Sequence, residues 1–97
     1  MSRTAVERRL SDVTHGLKRA REELSVVAEQ LAALAEAAEE ARIRALVSET
    51  PLAQREHREA QRHAEAMSRG RDDLLSSIAA LQRSQDELLD RLVPDPS

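Results

Sequence analysis

The strongest constraint on this chain is a seven-residue spacing of apolar side chains that runs through most of its length. In each half, two such series interleave at alternating steps of three and four, which places them on one face of a helix. In the first half they are Leu10, Leu17, Leu24, Leu31, Ala38 and Ala45, and Val6, Val13, Ala20, Val27, Leu34 and Ala41. In the second half they are Ala53, Ala60, Met67, Leu74, Leu81 and Leu88, and His57, Ala64, Arg71, Ile78, Gln85 and Leu92. We call these four series the seam, and they predict two long amphipathic helices.

The heptad phase breaks between the two halves, within "LVSETPLAQRE" at residues 46–56. Pro51 suits the first position of a helix, and Thr50 before it suits the N-cap. We therefore predict helix 1 from about residue 5 to residue 47, with Thr4 as its N-cap. A turn at 48–50 and helix 2 from 51 to 92 follow. Gly70 is the alternative breakpoint, because it can end a helix.

The two seams match each other when the chain is folded about Glu49. Positions whose numbers add to 98 then face each other, so that Leu17 meets Leu81 and Leu24 meets Leu74 without any insertion. This register predicts an all-α fold, an antiparallel two-helix coiled-coil hairpin. We expect residues 1–97 to form a single domain, with residues 1–3 and 94–97 as frayed ends.

Three seam positions of helix 2 are polar: His57, Arg71 and Gln85. Polar residues in a helical seam often specify register at some cost in stability. We predict a register-setting role for these three. The alternative is that a seam between only two helices is half solvated and tolerates them.

Apolar residues outside the seam predict further contacts, because two helices bury only one stripe each. We call one set the flank, since its members share one side of the predicted hairpin: Ala28, Ala35, Leu75 and Leu89. The flank suits packing against a second hairpin, which would give a dimeric four-helix bundle. We call the second set the tip, because its members lie near the turn: Ile43, Leu46, Val47 and Leu52. The tip either closes the turn or contacts a partner.

Residues typical of catalysis or metal binding are not arranged as those chemistries need. The chain has no Cys and only two Gly, so it has neither a thiolate metal site nor a glycine-rich phosphate loop. His57 and His63 are six residues apart and do not share a helical face well. The bundle di-iron pattern needs Glu-x-x-His on two helices, and neither histidine fits it. We expect no enzymatic activity, no metal and no cofactor.

Basic residues concentrate in the first half of helix 1: Arg8, Arg9, Lys18, Arg19 and Arg21. Such a helix can contact phosphates. A net charge of −3 and the complete lack of aromatic residues argue against nucleic acid as a partner.

We therefore expect a non-catalytic protein–protein interaction module, an adaptor, scaffold or assembly subunit that presents a rigid helical hairpin. Its partner would be a second copy or another helical protein. A regulator that contacts nucleic acid or its processing machinery through the basic half of helix 1 is the alternative.

Targeting signals give a further expectation about location. No window approaches the 18 or more apolar residues of a membrane span, and the first residues lack the apolar run of a signal peptide. An arginine-rich composition with Lys18 as the one lysine suggests a bacterial protein, and we expect it in the cytoplasm. In length and central turn the chain resembles the small Trp-x-Gly helical hairpins exported by type VII secretion systems. Its turn, Ser48 to Thr50, has neither Trp nor Gly. That resemblance implies a small exported effector as a second alternative.

Overall fold

The chain folds into two α-helices, in a computed structural model that describes residues 1–93. Helix α1 is Arg3–Ser48 and helix α2 is Pro51–Leu92. The two helices pack against each other, which confirms the predicted all-α helical hairpin. The contacts divide into two units, each with a segment of both helices. The end unit is Met1–Glu23 with Leu74–Ser97, and the turn unit is Leu24–Asp73.

Helix α1 begins earlier than the sequence predicts, and the assignment of Thr4 as its N-cap is wrong. The hydroxyl of Ser2 accepts a hydrogen bond from the backbone N–H of Ala5 at 3.1 Å, and the Ser2 carbonyl accepts one from Val6 at 3.0 Å. Serine caps a helix at least as well as threonine, so the helix gains two residues by starting at Arg3. The expected fraying of residues 94–97 falls outside the described residues.

The turn between the helices is two residues, Glu49 and Thr50, because Ser48 still belongs to α1. Glu49 has a φ of 51°, the left-handed conformation that commonly ends a helix. The hydroxyl of Thr50 accepts a hydrogen bond from the N–H of Ala53 at 3.1 Å. Thr50 and Pro51 therefore start α2 as predicted: a side-chain cap followed by a proline whose missing N–H costs nothing there.

Helix α2 continues through Gly70 to Leu92 without interruption, so the alternative breakpoint is not used. A Cβ atom added to Gly70 would meet no atom within 4 Å. The glycine therefore neither permits a close helix approach nor ends a helix. Its cost is the flexibility it gives the unfolded chain and the partly exposed backbone around it.

The end unit contains four of the five buried apolar residues in the described part of the chain. They are Val6, Leu17, Ile78 and Leu88, with Leu17 only 1% exposed. Two cross-helix contacts report the register there. The amide of Gln85 donates a hydrogen bond to the hydroxyl of Thr14 at 3.2 Å, and Leu81 lies beside Gly16. The numbers in these pairs add to 99 and 97, which agrees with the predicted sum of 98.

The turn unit is packed with smaller side chains. Of its residues, all of which the structure describes, Ala41 alone is fully buried. Its seam near the turn consists largely of alanine: Ala38, Ala41, Ala45, Ala53, Ala60 and Ala64. Alanine removes less apolar area from water than leucine, so each layer here contributes less to stability. Throughout both units, every predicted seam position is nevertheless buried or half-buried.

Candidate interaction surfaces

The polar seam residues occupy the interface between the helices, as predicted from their spacing. His57, Arg71 and Gln85 are all half-buried. Gln85 donates the cross-helix hydrogen bond to Thr14. Arg71 reaches only Asp72, with 3.5 Å between Nη2 and Oδ1, and its buried Nε finds no acceptor among the described residues. Gln85 is thus bonded across the helices, and the register-setting role of all three residues stays a prediction.

A shallow open groove of about 370 Å³ lies beside His57 in the turn unit. Alanines form much of its lining, and Glu39 and Arg42 form its polar side. Arg42 holds Glu39 with both Nε and Nη2, at 2.9 and 2.6 Å. This hydrogen bond lowers the pKa of the Glu39 carboxyl, and the charges of Arg42 and His57 act in the same direction. The Glu39 carboxylate in turn raises the pKa of Arg42. Sequence analysis missed this pair, although its i,i+3 spacing is a usual helical ion pair.

Flank residues are exposed in both units. Ala28 and Ala35 belong to the turn unit, while Leu75 and Leu89 belong to the end unit. The two leucines are 43% and 44% exposed, so more than half of each side chain is already covered within the hairpin. The flank therefore offers partly covered leucines on α2 and small alanines on α1.

The tip is the more exposed of the two predicted surfaces. Ile43, Leu46, Val47 and Leu52 are 50%, 64%, 81% and 61% exposed. Here the usual pattern is inverted, because small alanines fill the seam while large apolar side chains face outward. Large apolar residues turned toward water are informative when they cluster, since such patches commonly bind partners. The tip residues therefore do not close the turn by burying one another.

Basic residues of α1 are exposed but do not gather on one face. Successive residues of a helix are rotated by about 100° around its axis. The side of α1 turned away from α2 therefore carries Arg8, Lys18 and Arg19. Arg9 and Arg21 lie on opposite flanks of the helix. Arg3, which the sequence analysis did not single out, forms an exposed ion pair with Glu7 at 3.1 Å. The basic half of α1 thus presents three cations together rather than five.

The described residues contain no group of three or more His, Cys, Asp or Glu side chains positioned to hold a metal ion. No helix within residues 1–93 combines the length and apolar character that crossing a membrane requires. His15 and His63 are exposed on the surface of their helices.

The described residues form a two-helix hairpin with uncovered apolar and charged helical faces. No protein-family model matches the chain, and neither a curated protein nor a solved structure does.

Proposed function

We propose that this chain is a non-catalytic protein–protein interaction module that self-associates, so that four helices pack together in a homodimer. One observation carries the proposal. The chain exposes 7178 Å² of surface, whereas a folded monomer of 10.8 kDa ordinarily exposes about 5,500 Å². Surface left uncovered on this scale favours a protein that is completed by association.

The excess amounts to roughly 1,600 Å² per chain. A standard protein interface removes about 800 Å² from each partner, so an ordinary dimer would cover about half of it. Exposed apolar side chains are available to form such a contact. They include the tip and, on the outer side of α1, Val26, which is 53% exposed.

An adaptor or assembly subunit would use its helical faces in the way that amphipathic helices usually dock. A partner helix lays apolar residues spaced by three, four and seven positions into a groove between two helices. Leu75 and Leu89 on the flank lie two heptads apart on α2, with Gln82 at the heptad position between them. The flank and the tip are therefore two surfaces on which a helix of another protein is expected to bind.

Thermal unfolding measured by far-ultraviolet circular dichroism tests self-association. A native dimer dissociates when it unfolds, so its Tm rises with protein concentration. We expect a clear rise across an about 100-fold concentration range. An identical Tm at every concentration would contradict the proposal.

Two substitutions then locate the contact. Leu46→Glu places a charge in the tip and Leu75→Glu places one in the flank, while Ala80→Glu adds the same charge to an exposed position of α2 outside both. If the tip or the flank is used for self-association, its variant loses the concentration dependence. Ala80→Glu is expected to keep it.

A further inference from the structure

The side of α1 turned away from α2, which also includes Arg19, carries a second, mostly polar stripe with seven-residue spacing. We call it the outer face, and every member is exposed. Its members are Thr4, Ser11, Lys18, Ser25, Ala32, Glu39 and Leu46, and Arg8, His15, Glu22, Glu29, Glu36 and Ile43. These two series alternate by three and four residues, as the seam does, so they form one stripe of α1 that another helix can contact.

Charge is segregated along this face. Arg8 and Lys18 occupy its first part, and every ionisable residue from Glu22 onward is acidic: Glu22, Glu29, Glu36 and Glu39. A surface that is basic at one end and acidic at the other is complementary to itself when two copies lie antiparallel. Parallel copies would instead bring like charges together.

We propose that the outer face of α1 binds the outer face of a second copy, antiparallel, with residues whose numbers add to 47 opposite each other. This inference rests on the self-association proposed above and names its surface and partner. In this register Lys18 faces Glu29 of the second copy, and Arg8 faces Glu39, whose carboxylate also binds Arg42 of its own helix. Two-fold symmetry makes each of these contacts twice.

The remaining positions agree with the register. Ser11 meets Glu36, and Glu22 meets Ser25, so no two like charges are opposed. Ile43, half exposed in one copy, comes to lie against Thr4 of the other. A shift by one heptad in either direction leaves Lys18 with a carboxylate but places Arg8 opposite Ala32 or Leu46. Of these three registers, the sum of 47 is the one that places a carboxylate opposite both cations.

Flank leucines take no part in this contact, because Leu75 and Leu89 lie on α2. A homodimer built through α1 therefore leaves the flank of both copies free for a helix of another protein. Since two of its pairings, Lys18 with Glu29 and Arg8 with Glu39, join opposite charges, the dimer should weaken as salt screens them.

A charge-exchange cycle tests the register. Lys18 and Glu29 are eleven residues apart on α1, about three helical turns, and so cannot form an ion pair within one copy. Dimer dissociation constants are measured by sedimentation equilibrium for the natural chain, Lys18→Glu, Glu29→Lys and the double variant. Each single change should weaken the dimer about tenfold, because it sets two like-charge pairs in place of two ion pairs. The double variant should return to within about threefold of the natural chain, since the pair is restored with its charges exchanged.

Arg21→Glu is the matched control, because it makes the same charge change on an exposed flank of α1 outside the outer face. It should leave the dissociation constant within about threefold. Circular dichroism confirms that each variant keeps its helices. A double variant no tighter than the singles overturns the proposed pairing, as does rescue of Lys18→Glu by Glu36→Lys rather than Glu29→Lys. In both cases a dimer that persists leaves the proposed function intact, whereas a natural chain that is monomeric throughout removes both proposals.

Disulfide trapping gives an independent measurement, because the chain has no cysteine of its own. In Ser11→Cys/Glu36→Cys, the two thiols are too far apart on one helix to bond to each other. Mild oxidation should therefore yield a covalent dimer of defined mass. Ser11→Cys/Glu29→Cys is out of register by a heptad and should yield much less. Equal trapping of both variants would overturn the register.

Discussion

Gly70→Ala is expected to stabilise this protein measurably. The glycine lies in the interior of α2, and an added Cβ would meet nothing within 4 Å. The substitution therefore gains the difference in helix propensity, about 1 kcal/mol, without any steric cost. For a domain of this size that corresponds to a rise in Tm of roughly 4–8 °C, measured by circular dichroism at one fixed protein concentration.

Gly16→Ala tests the same reasoning where a neighbour is present. Its added Cβ would lie 3.8 Å from both Cδ atoms of Leu81, which is ordinary van der Waals contact. We expect a gain of about 1 kcal/mol here too, with the two substitutions adding in the double variant. Ala66→Gly, an exposed position of α2, is the reverse control and should cost about as much as Gly70→Ala gains. A decrease in stability for Gly70→Ala would refute the account of α2 as an uninterrupted helix in which this glycine is merely tolerated.

Three further substitutions probe the turn and the core by chemical denaturation. Glu49→Gly should stabilise the hairpin by about 0.5–1 kcal/mol, because glycine adopts the left-handed conformation without steric cost; an unchanged or lower value would contradict the positive φ. Thr50→Ala should cost about 1 kcal/mol by removing the acceptor for Ala53, and Thr50→Ser should retain most of it. Leu17→Ala should cost roughly 2–5 kcal/mol, since Leu17 is 1% exposed, whereas Leu46→Ala should cost under about 0.5 kcal/mol in the monomer; similar losses would mean that the core is misplaced.

Heptad spacing predicts the seam because the same apolar pattern repeats every seven residues and depends only on neighbouring positions. A residue at any seam position is flanked by others three and four positions away, so one irregular residue such as Arg71 does not change the face that is buried. The turn is equally readable, because Pro51 restricts the backbone in a way that few other residues do. The beginning of α1 is harder to predict from the sequence. Ser2 and Thr4 are both good caps, and the choice between them depends on small energies at a helix end.

The heptad spacing does not predict which contacts are made by residues outside the seam. The inversion at the tip, with Ala41 inside and Val47 outside, is visible in the letters only once the seam is known. Ion pairs such as Glu39 with Arg42 follow from i,i+3 spacing, but many such pairs are possible and side-chain packing selects among them. The partner of an exposed face usually depends on the sequence of another protein, which this sequence cannot predict. The exception is a face whose charges are complementary to its own in a second copy, as those of the outer face of α1 are.

Solution mass is the most direct test of the central claim that this hairpin is completed by self-association. Light scattering behind size exclusion, with refractive-index detection because the chain has no Trp or Tyr, measures it over a wide concentration range. Self-association predicts a species of twice the 10.8 kDa chain mass that dissociates on dilution and at high salt. A species of 10.8 kDa at every concentration would contradict it.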